Sequence, residues 1–353
     1  MADFVKNYSI NELKNYFQNI NEPQYRAVQL FQDLYIRRIK SFDECTTFSK
    51  NLRNKLSQDY LIDSLKILRK KESKDGSIKF LLELIDNLKI ESVVLDSFNE
   101  NAKTLCISSQ VGCPMKCSFC ATGQLGFYRN LSVAEIADQF LLLGNEISQR
   151  ISNIVFMGMG EPLLNLDNVI KAIKNITYFP QDIISSRKIT ISTIGIPDKI
   201  KEMADTGLKL KLALSLHSAF EDKRELIIPS SKNWTMKSIL DSLEYYYKKV
   251  KMPITFEYIL FENFNDSKDD INQIAILTRK FPSKVNLIEY HNISFAVSDY
   301  KYNLNLKSAD SSKIIWFAKE LRTRGIDTFI RKSYGKDIEA ACGQLALAYY
   351  NNY

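Results

Sequence analysis

Three cysteines stand close together in the segment Cys113-Pro-Met-Lys-Cys117-Ser-Phe-Cys120. Spacings of four and three residues on a loop allow their thiolates to meet at one soft metal centre. A cubane iron–sulfur cluster normally takes four thiolates, so three cysteines leave one iron without a protein ligand. A metal needs such an open position to bind and act on a substrate. The segment therefore predicts an iron–sulfur cluster with an open coordination site.

A structural zinc site is the alternative interpretation of the same cysteines. Zinc would require a fourth ligand and, in a zinc ribbon, a second close pair. Cys106 is the only nearby candidate, and its spacing is unlike that of a zinc ribbon. The chain has only two histidines, so it has few candidate ligands for a zinc site of mixed cysteine and histidine type.

Polar residues and glycines follow the later predicted strands at the points where those strands end. Gly160 and Glu161 lie in a turn in which glycine lets a ligand approach the backbone, and the Glu161 carboxylate can pair with an ammonium group. The other residues at strand ends are Ser192, Ser215, Leu216, His217 and His291. Both histidines of the chain thus fall at strand ends, which favours a functional role over a structural one.

Alternating strands and helices after residue 100 are the elements that must position these residues. Predicted strands cover 104–109, 153–158, 188–193, 209–216, 254–261, 284–290 and 326–331. Predicted helices cover 132–146, 166–177, 197–206, 235–250, 267–281 and 308–324. Six β/α units in a row predict a parallel sheet with helices outside, too few to close an eight-stranded barrel. The fold class is therefore α/β, a partial (β/α)6 barrel at 99–336, with function at the C-terminal ends of its strands.

The residues before this barrel predict a small, mainly helical accessory domain. Ser9-Ile-Asn-Glu12 and Ser41-Phe-Asp-Glu44 are capping boxes, each of which marks the start of a helix. Residues 77–95 look extended and predict a strand pair that leads into the barrel. We expect the accessory domain at 1–92 and a C-terminal segment at 337–353.

Composition indicates a soluble protein and is neutral about most partners. Of the 353 residues, 45% are hydrophobic and 25% charged, and the net charge is +7. Basic charge attracts phosphate backbones, although many soluble proteins carry as much on solvated faces. The sequence has no apolar run long enough to span a membrane and no apolar signal core near its N-terminus. We therefore expect a cytoplasmic protein.

The cysteine segment resembles the hallmark of the radical S-adenosylmethionine superfamily, a CxxxCxxC loop with an aromatic residue before the last cysteine. Phe119 occupies that aromatic position. The resemblance implies a 4Fe-4S cluster on Cys113, Cys117 and Cys120, whose open iron chelates S-adenosylmethionine. The cofactor then supplies the radical chemistry, while the protein orients it and excludes water.

Further segments closely resemble the RlmN/Cfr family of RNA adenine methyltransferases over nearly the whole chain. The matching segments are Cys106–Cys113, the three-cysteine motif, Gly126–Asn130, Gly158–Pro162, Ser192–Thr193, Ser215–His217 and Asp337–Gln344. The resemblance implies methylation of adenine in 23S rRNA and tRNA with two molecules of S-adenosylmethionine. It also implies an electron donor such as flavodoxin or ferredoxin and an RNA-contacting accessory domain. A monomer is expected, because the enzyme must engulf its RNA.

The family's chemistry gives roles to residues that otherwise look structural. Cys342 and Cys106 alone would be interpreted as small buried hydrophobes; the resemblance makes Cys342 the methyl acceptor and Cys106 the thiol that resolves the RNA adduct as a Cys106–Cys342 disulfide. Glu91 matches the family's proton acceptor, against the alternative of a solvated strand glutamate. The contacts to S-adenosylmethionine would come from Gly160, Glu161, Ser192, Ser215, Leu216, His217 and His291. Asn292 is an alternative to His291.

Within the family, the motifs favour methylation of carbon 2 of adenine over carbon 8. Glu161-Pro-Leu-Leu-Asn165 and Ala340-Ala341 are RlmN-like, whereas Ser192–Ile196 and Ser215–Ser218 also resemble the Cfr enzymes that modify carbon 8 and cause antibiotic resistance. Two other classes stay open on the residues alone. One is a non-catalytic RNA-binding protein with structural zinc, and the other is a radical enzyme acting on a protein or metabolite.

Overall fold

A computed structural model of the chain describes residues 3–96, 102–147, 149–181, 183–293 and 304–345. The predicted C-terminal segment at 337–353 is thus described as far as residue 345, and its remainder lies outside the described residues. The first residues of the predicted barrel, up to residue 101, also lie outside them.

The N-terminal module consists of three helices and two very short strands. Its elements are β1 (Asp3–Phe4), α1 (Ile10–Asn19), α2 (Tyr25–Gln32), α3 (Lys50–Asp59) and β2 (Tyr60–Leu61), with helical turns at Val5–Asn7, Asp33–Arg37 and Phe42–Glu44. Both predicted capping boxes form. In each box the glutamate carboxylate accepts from the serine N–H. The serine hydroxyl accepts from the N–H of the glutamate in the first box and from a neighbouring N–H in the second. The start of α1 therefore lies where the sequence predicts it.

A ten-stranded sheet begins with three antiparallel strands. They are β3 (Leu65–Glu72), β4 (Ile78–Leu84) and β5 (Lys89–Asp96), and β5 pairs with the first barrel strand, β6 (Ala102–Cys106). Strands β4 and β5 match the predicted extended region, whereas no strand was predicted at β3. The β3 strand forms the edge of the sheet, where lysine and arginine side chains replace the apolar alternation that marks an inner strand.

The barrel follows as parallel strands joined by outer helices, which confirms the predicted α/β partial barrel. A two-stranded sheet of β7 (Gln110–Gly112) and β8 (Phe127–Asn130), with α4 (Ala121–Gln124) between them, comes first. The remaining barrel strands are β9 (Arg150–Phe156), β10 (Ile189–Thr193), β11 (Lys211–Ser215), β12 (Ile254–Leu260), β13 (Ser283–Glu289) and β14 (Asp327–Ile330). The remaining helices are α5 (Val133–Glu146), α6 (Leu166–Ile176), α7 (Pro197–Asp205), α8 (Glu221–Ile227), α9 (Met236–Val250), α10 (Lys268–Thr278) and α11 (Ser311–Thr323).

Buried polar contacts fix the N-terminal module to the outside of the barrel. Lys6 forms an ion pair with Asp138 of α5, and both side chains are 4% exposed. The other oxygen of Asp138 accepts from the backbone N–H of Ser64 at 2.8 Å and from its hydroxyl at 2.6 Å. A buried charge needs such partners, so the module and α5 are held in one arrangement.

No helix in the described part of the chain is long and apolar enough to cross a membrane.

Candidate active site

The loop that carries the three cysteines follows β7 and is held by backbone hydrogen bonds. The N–H of Cys113 donates to the carbonyl of Gly126 at 2.8 Å, and the N–H of Ser118 donates to the carbonyl of Ile227 in α8 at 2.9 Å. Lys116 has a φ of 57°, the left-handed conformation that turns the chain between the first two cysteines. The loop is therefore tied both to the small β7–β8 sheet and to the barrel.

The thiols of Cys113, Cys117 and Cys120 all face one cleft. Cys113 is 8% exposed and Cys117 7% exposed. Burial raises the pKa of all three thiols, and the two neighbouring thiols raise the pKa of Cys117 further. Thiols in such surroundings lose their protons when a metal binds, because coordination deprotonates them. The donor set therefore fits a metal centre, which would be the strongest positive charge in the cleft.

The three thiols border one cleft. Within the described ranges, no group of three Cys, His, Asp or Glu side chains is gathered as the ligands of one metal ion. The ligands of a zinc ion converge tetrahedrally on that ion, whereas the thiolates of a cubane cluster bind different irons. The metal content of the purified protein therefore separates the two interpretations.

The cleft beside the cysteines is open to solvent and has both polar and apolar lining residues. Its polar lining comes from several strand ends and from the C-terminal segment. These residues are Glu161, Ser192, Thr193, Ser215, His217, Glu257, Arg331 and Cys342, together with the backbone of Gly158 and Gly160. Most of the residues predicted to bind S-adenosylmethionine thus share one space with the cysteine loop.

Two glycines of the turn after β9 are required by protein packing. A Cβ on Gly158 would meet the carbonyl oxygen of Ile107 at 2.6 Å, and a Cβ on Gly160 would meet the Cβ of Gln110 at the same distance. The sequence predicts a ligand against this turn, and both glycines do line the cleft, while Ile107 and Gln110 fill the space that their side chains would need. The side-chain oxygen of Gln110 also accepts from the N–H of Glu161 at 2.8 Å, which holds Glu161 at the cleft.

Glu161 is a buried carboxylate at the wall of the cleft. Its two oxygens accept from the N–H of Leu163 at 3.1 Å and from the N–H of Ile194 at 3.0 Å. Burial nevertheless raises the pKa of Glu161 to about 7, because desolvation outweighs these hydrogen bonds. The ionised carboxylate can pair with a cationic group of a ligand, such as an ammonium group.

His217 follows β11 and is held as a neutral ring. Its Nδ1 accepts from the N–H of Ile259 at 3.1 Å, so the ring proton is on Nε2. Burial, with the nearby Arg224, lowers the pKa of His217 to about 3. The edge of the Phe119 ring packs on the imidazole with centroids 4.5 Å apart. The ring therefore offers a fixed N–H donor to the cleft at neutral pH.

Leu216 does not reach the cleft with its side chain, which is fully buried. Its backbone is held by Arg224, a residue that the sequence analysis did not single out. The Arg224 guanidinium donates to the carbonyl of Leu216 at 3.1 Å and to that of Ser215 at 3.0 Å, and it also reaches Ile194. Arg224 is therefore a positioning residue for the ends of β10 and β11. No sequence pattern distinguishes Arg224 from a solvent-facing arginine on a short helix.

Cys342 lies where the cleft meets a second, small cavity that is also lined by Cys106. Arg331 joins the two spaces, because its Nη1 is 3.7 Å from the Cys342 sulfur and 3.8 Å from a Glu257 carboxylate oxygen. Burial raises the pKa of Cys106 to about 12. The predicted Cys106–Cys342 disulfide is not formed, since all six cysteines are free. The sequence analysis did not single out Arg331.

Glu91 is fully buried in β5 and does not line either cavity. Its carboxylate is 3.2 Å from the ammonium group of Lys79, which also donates to the carbonyl of Glu339 at 3.1 Å. Val93, two residues along the same face of β5, pairs with Cys106. Glu91 is thus close to Cys106 in the sheet, and it lies beneath the segment that carries Cys342 instead of on a solvated strand.

Replacing Lys79 by methionine is expected to cost about 3 kcal/mol of unfolding free energy, because the buried Glu91 carboxylate would lose the ammonium group that lies 3.2 Å from it. The double variant Lys79→Met/Glu91→Gln should recover most of this loss. Urea unfolding of the anaerobic holoenzyme measures both effects. Lys248→Met, which breaks an exposed helical pair with Glu244, is the control and should change little. Additive losses in the double variant would contradict the buried pair.

The β3–β4 hairpin holds the segment that carries Cys342. The N–H of Gly335 donates to Asp75 at 2.7 Å, and the N–H of Lys74 donates to Asp337 at 3.2 Å. At the far side of Cys342, the N–H of Ala121 donates to the carbonyl of Gly343 at 2.7 Å. The segment therefore bridges the hairpin and the cysteine loop, which sets Cys342 between them.

His291 is not brought to the cleft. Its Nε2 is 2.8 Å from the hydroxyl of Ser333, and neither cavity includes it in its lining. The carbonyl of Asn292 accepts from the side chain of Gln344 at 3.2 Å. His291 therefore contacts the stretch after β14 and Asn292 contacts the C-terminal segment, and neither lines the cleft with the other predicted residues.

The fold and the cysteine loop together define a radical S-adenosylmethionine protein. The sequence model of the Radical SAM superfamily matches residues 107–274. The model described as the ribosomal RNA large subunit methyltransferase N-terminal domain matches residues 5–62, which cover the N-terminal module.

Similar proteins then narrow the class, and the chain belongs to the RlmN family. A Thermotoga petrophila protein named probable dual-specificity RNA methyltransferase RlmN is 42% identical over 340 residues, 96% of each chain. A Flavobacterium johnsoniae protein of the same name is 39% identical over 346 residues, 97% of this chain and 96% of its own. The crystal structure of a radical SAM methyltransferase from Sphaerobacter thermophilus superposes with a TM-score of 0.87 at 32% identity, covering 97% of this chain and 98% of that one.

Membership of this superfamily implies a 4Fe-4S cluster and S-adenosylmethionine, and the cleft fits both. Cys113, Cys117 and Cys120 supply the thiolates for three irons, and the buried Glu161 carboxylate beside them suits an ammonium group. When bound, the cluster and S-adenosylmethionine supply one-electron chemistry that side chains cannot perform.

The pKa of Glu161 predicts a pH dependence of S-adenosylmethionine binding. With a pKa of about 7, the carboxyl is about one-tenth ionised at pH 6 and about nine-tenths at pH 8. Only the ionised form attracts an ammonium group, and the α-amino group of the ligand itself loses about half of its charge by pH 8, so affinity should rise about fourfold over this range. Equilibrium dialysis of the holoenzyme measures its affinity for S-adenosylmethionine at each pH. The Glu161→Gln variant should lose the part of the pH dependence that comes from Glu161. Equal pH profiles in the two proteins would refute the assignment.

Proposed function

We propose that this protein methylates carbon 2 of adenine in 23S rRNA and in tRNA, using two molecules of S-adenosylmethionine. One observation carries the proposal: Cys342 lies at the junction of the cleft with the three cluster cysteines and the cavity with Cys106. A single thiol with access to both spaces can receive a group in one and release it in the other. The names of the relatives, which are RNA methyltransferases, support the same conclusion.

The chemistry of adenine explains why a cysteine is needed. The ring carbon is electron-poor, so it cannot attack a methyl sulfonium directly. In the proposed reaction, the Cys342 thiolate takes a methyl group, which is then joined through its carbon to the ring. When bound, the cluster and S-adenosylmethionine would supply the one-electron chemistry that joining this carbon to the ring requires.

Glu91 and Cys106 complete the proposed reaction. Glu91 accepts the ring proton in this proposal, and its carboxylate lies 3.2 Å from the ammonium group of Lys79. Because Glu91 is fully buried here, the C-terminal segment must move for that step. The Cys106 thiolate then attacks the Cys342 sulfur, so that a disulfide forms as the sulfur–carbon bond breaks and the carbon keeps the electron pair and takes a proton.

RNA contact is assigned in this proposal to the accessory domain at 1–92 and its basic edge. Strand β3 lies at the edge of the sheet and carries Lys66, Arg69, Lys70 and Lys71, the last three in a consecutive run. Such a basic edge attracts phosphates without reading the base. The adenine would reach Cys342 by base flipping or as a single strand. The enzyme would act as a cytoplasmic monomer and receive electrons from a flavodoxin or a ferredoxin.

Deleting the gene tests the proposal directly. Purified rRNA and tRNA from deletion and parent strains are digested, and 2-methyladenosine and 8-methyladenosine are measured by mass spectrometry. Loss of 2-methyladenosine, restored by the wild-type gene and not by Cys342→Ala, is the expected result. Loss of 8-methyladenosine alone would favour the carbon-8 reaction of Cfr enzymes, and no change in either would reject both RNA reactions. Iron in the purified protein, instead of zinc, excludes the zinc-binding alternative.

A further inference from the structure

Arg331 contacts the sulfur of Cys342 and has no role in the reaction described so far. Its Nη1 is 3.7 Å from that sulfur and 3.8 Å from a carboxylate oxygen of Glu257. Among the described residues that line the cleft, Arg331 is the only lysine or arginine. It is also the only one of their charged side chains that lines the cavity of Cys106 as well. A positive charge therefore stands beside the sulfur that must first act as a nucleophile.

The barrel sheet holds the Arg331 guanidinium in this position. Arg331 directly follows β14, and its N–H donates to the carbonyl of Leu287 in β13 at 2.8 Å. Its side chain reaches Glu257 of β12. The other oxygen of the Glu257 carboxylate accepts from the amide of Asn286 at 2.9 Å, and these two residues are paired in the register of β12 and β13. The carboxylate that faces Arg331 is thus fixed between two strands.

Burial makes the contact between Glu257 and Arg331 important for both residues. The Glu257 oxygen that faces the guanidinium is buried and accepts no hydrogen bond from the described residues. Such an oxygen is costly unless a charge compensates it. The pKa of Arg331 is raised, most by Cys342 and further by Glu257 and Cys106. The guanidinium therefore interacts with the carboxylate and with both sulfurs at once.

We propose that Arg331 is a catalytic residue that stabilises the Cys342 thiolate as it accepts the methyl group, and that Glu257 positions Arg331; this inference rests on the proposed function. The thiolate is the nucleophilic form of cysteine, and a guanidinium donates strong hydrogen bonds to an anion. In the transfer, the thiol proton leaves to solvent and the sulfur forms a bond to the methyl carbon. The bond from that carbon to the sulfonium breaks, and its electron pair stays on S-adenosylhomocysteine.

Glu257 also suits this step because the methyl donor is a cation. An isolated guanidinium beside the sulfur would repel the positively charged sulfonium. The Glu257 carboxylate, 3.8 Å from Nη1, offsets that charge. The pair can therefore stabilise the thiolate without opposing the approach of the donor.

Methylation of Cys342 without a reductant tests the inference, because this step consumes no electron. Protein produced without its cluster is reconstituted anaerobically and given saturating S-adenosylmethionine, and the methyl group on Cys342 is followed by mass spectrometry. In Arg331→Met the rate should fall about tenfold or more, as expected on losing a hydrogen bond to a charged group. Arg331→Lys keeps the charge and should recover part of this loss. Release of 5′-deoxyadenosine with dithionite should be unchanged in both variants.

Two further variants make the result specific. Arg324→Met is the matched control, because Arg324 follows α11 and its side chain is 27% exposed, against 28% for Arg331; its rate should equal that of the wild type. Glu257→Gln should slow methylation in the wild-type background and have little further effect in Arg331→Met. Such non-additivity is expected of a residue that acts through another.

Four outcomes overturn the inference. The first is an equal methylation rate in the wild type and Arg331→Met, and the second is a rate in Arg331→Lys as low as in Arg331→Met. The third is an equal fall of 5′-deoxyadenosine release, which would assign Arg331 to binding of S-adenosylmethionine. The fourth is an equal effect of Glu257→Gln in both backgrounds, which would remove its positioning role. Failure of the proposed function is distinct, because then wild-type Cys342 takes up no methyl group.

Discussion

Replacing Cys342 by alanine is expected to abolish RNA methylation while reductive cleavage of S-adenosylmethionine continues. Cleavage of S-adenosylmethionine requires the cleft with Cys113, Cys117 and Cys120, which does not depend on the Cys342 sulfur. Methylation requires the Cys342 thiol, because without this acceptor the methyl group cannot be joined to the ring carbon. Methylated RNA should fall below about one-thousandth of the wild-type amount, as expected on removing a covalent nucleophile. The measurement pairs mass spectrometry of digested RNA with chromatography of 5′-deoxyadenosine from the same reaction.

Two variants make this result specific. Cys45→Ala removes another buried cysteine, in the N-terminal module, and should retain methylation. Cys117→Ala removes a predicted cluster ligand and should lose both methylation and 5′-deoxyadenosine. Methylation by Cys342→Ala at a tenth of the wild-type level would rule out Cys342 as the obligatory carrier.

Replacing Cys106 by alanine is expected to leave RNA covalently attached to the protein. Cys342 lines the same cavity as Cys106, and without the resolving thiol the sulfur–carbon bond between Cys342 and the RNA has no nearby nucleophile to break it. Protein purified from cells under denaturing conditions should therefore carry nucleotides. Absorbance at 260 nm and mass spectrometry of the nuclease-digested protein measure the attachment and its site.

The matched control is Cys106→Ala/Cys342→Ala, which should be free of RNA because the point of attachment is gone. The single variant should also release almost no methylated RNA, since each molecule is trapped as the adduct in its first cycle. RNA-free Cys106→Ala protein, with S-adenosylmethionine cleavage intact, would refute the resolving role and leave Cys106 as a buried structural residue.

Much of the local structure could be predicted from short-range patterns. The capping boxes at Ser9 and Ser132 mark the starts of α1 and α5, because each box is formed by residues three positions apart. Strands β9 to β14 lie within a few residues of their predicted bounds, since apolar runs flanked by turns identify buried parallel strands. Strand β3 was missed because its basic residues suit an edge and hide the apolar alternation.

The sequence by itself determined the chemistry available to this protein: three cysteines at cluster spacing, an acidic residue after β9 and two further cysteines whose roles came from family resemblance. Only the tertiary structure decided which groups meet. Lys79 reaches the carbonyl of Glu339 across 260 positions of the chain, and Arg331 meets a glutamate from β12 beside Cys342. Such contacts arise when folding buries charges that must then find partners. No local pattern encodes them, which is also why His291 could be predicted at the cleft and yet lie beside Ser333.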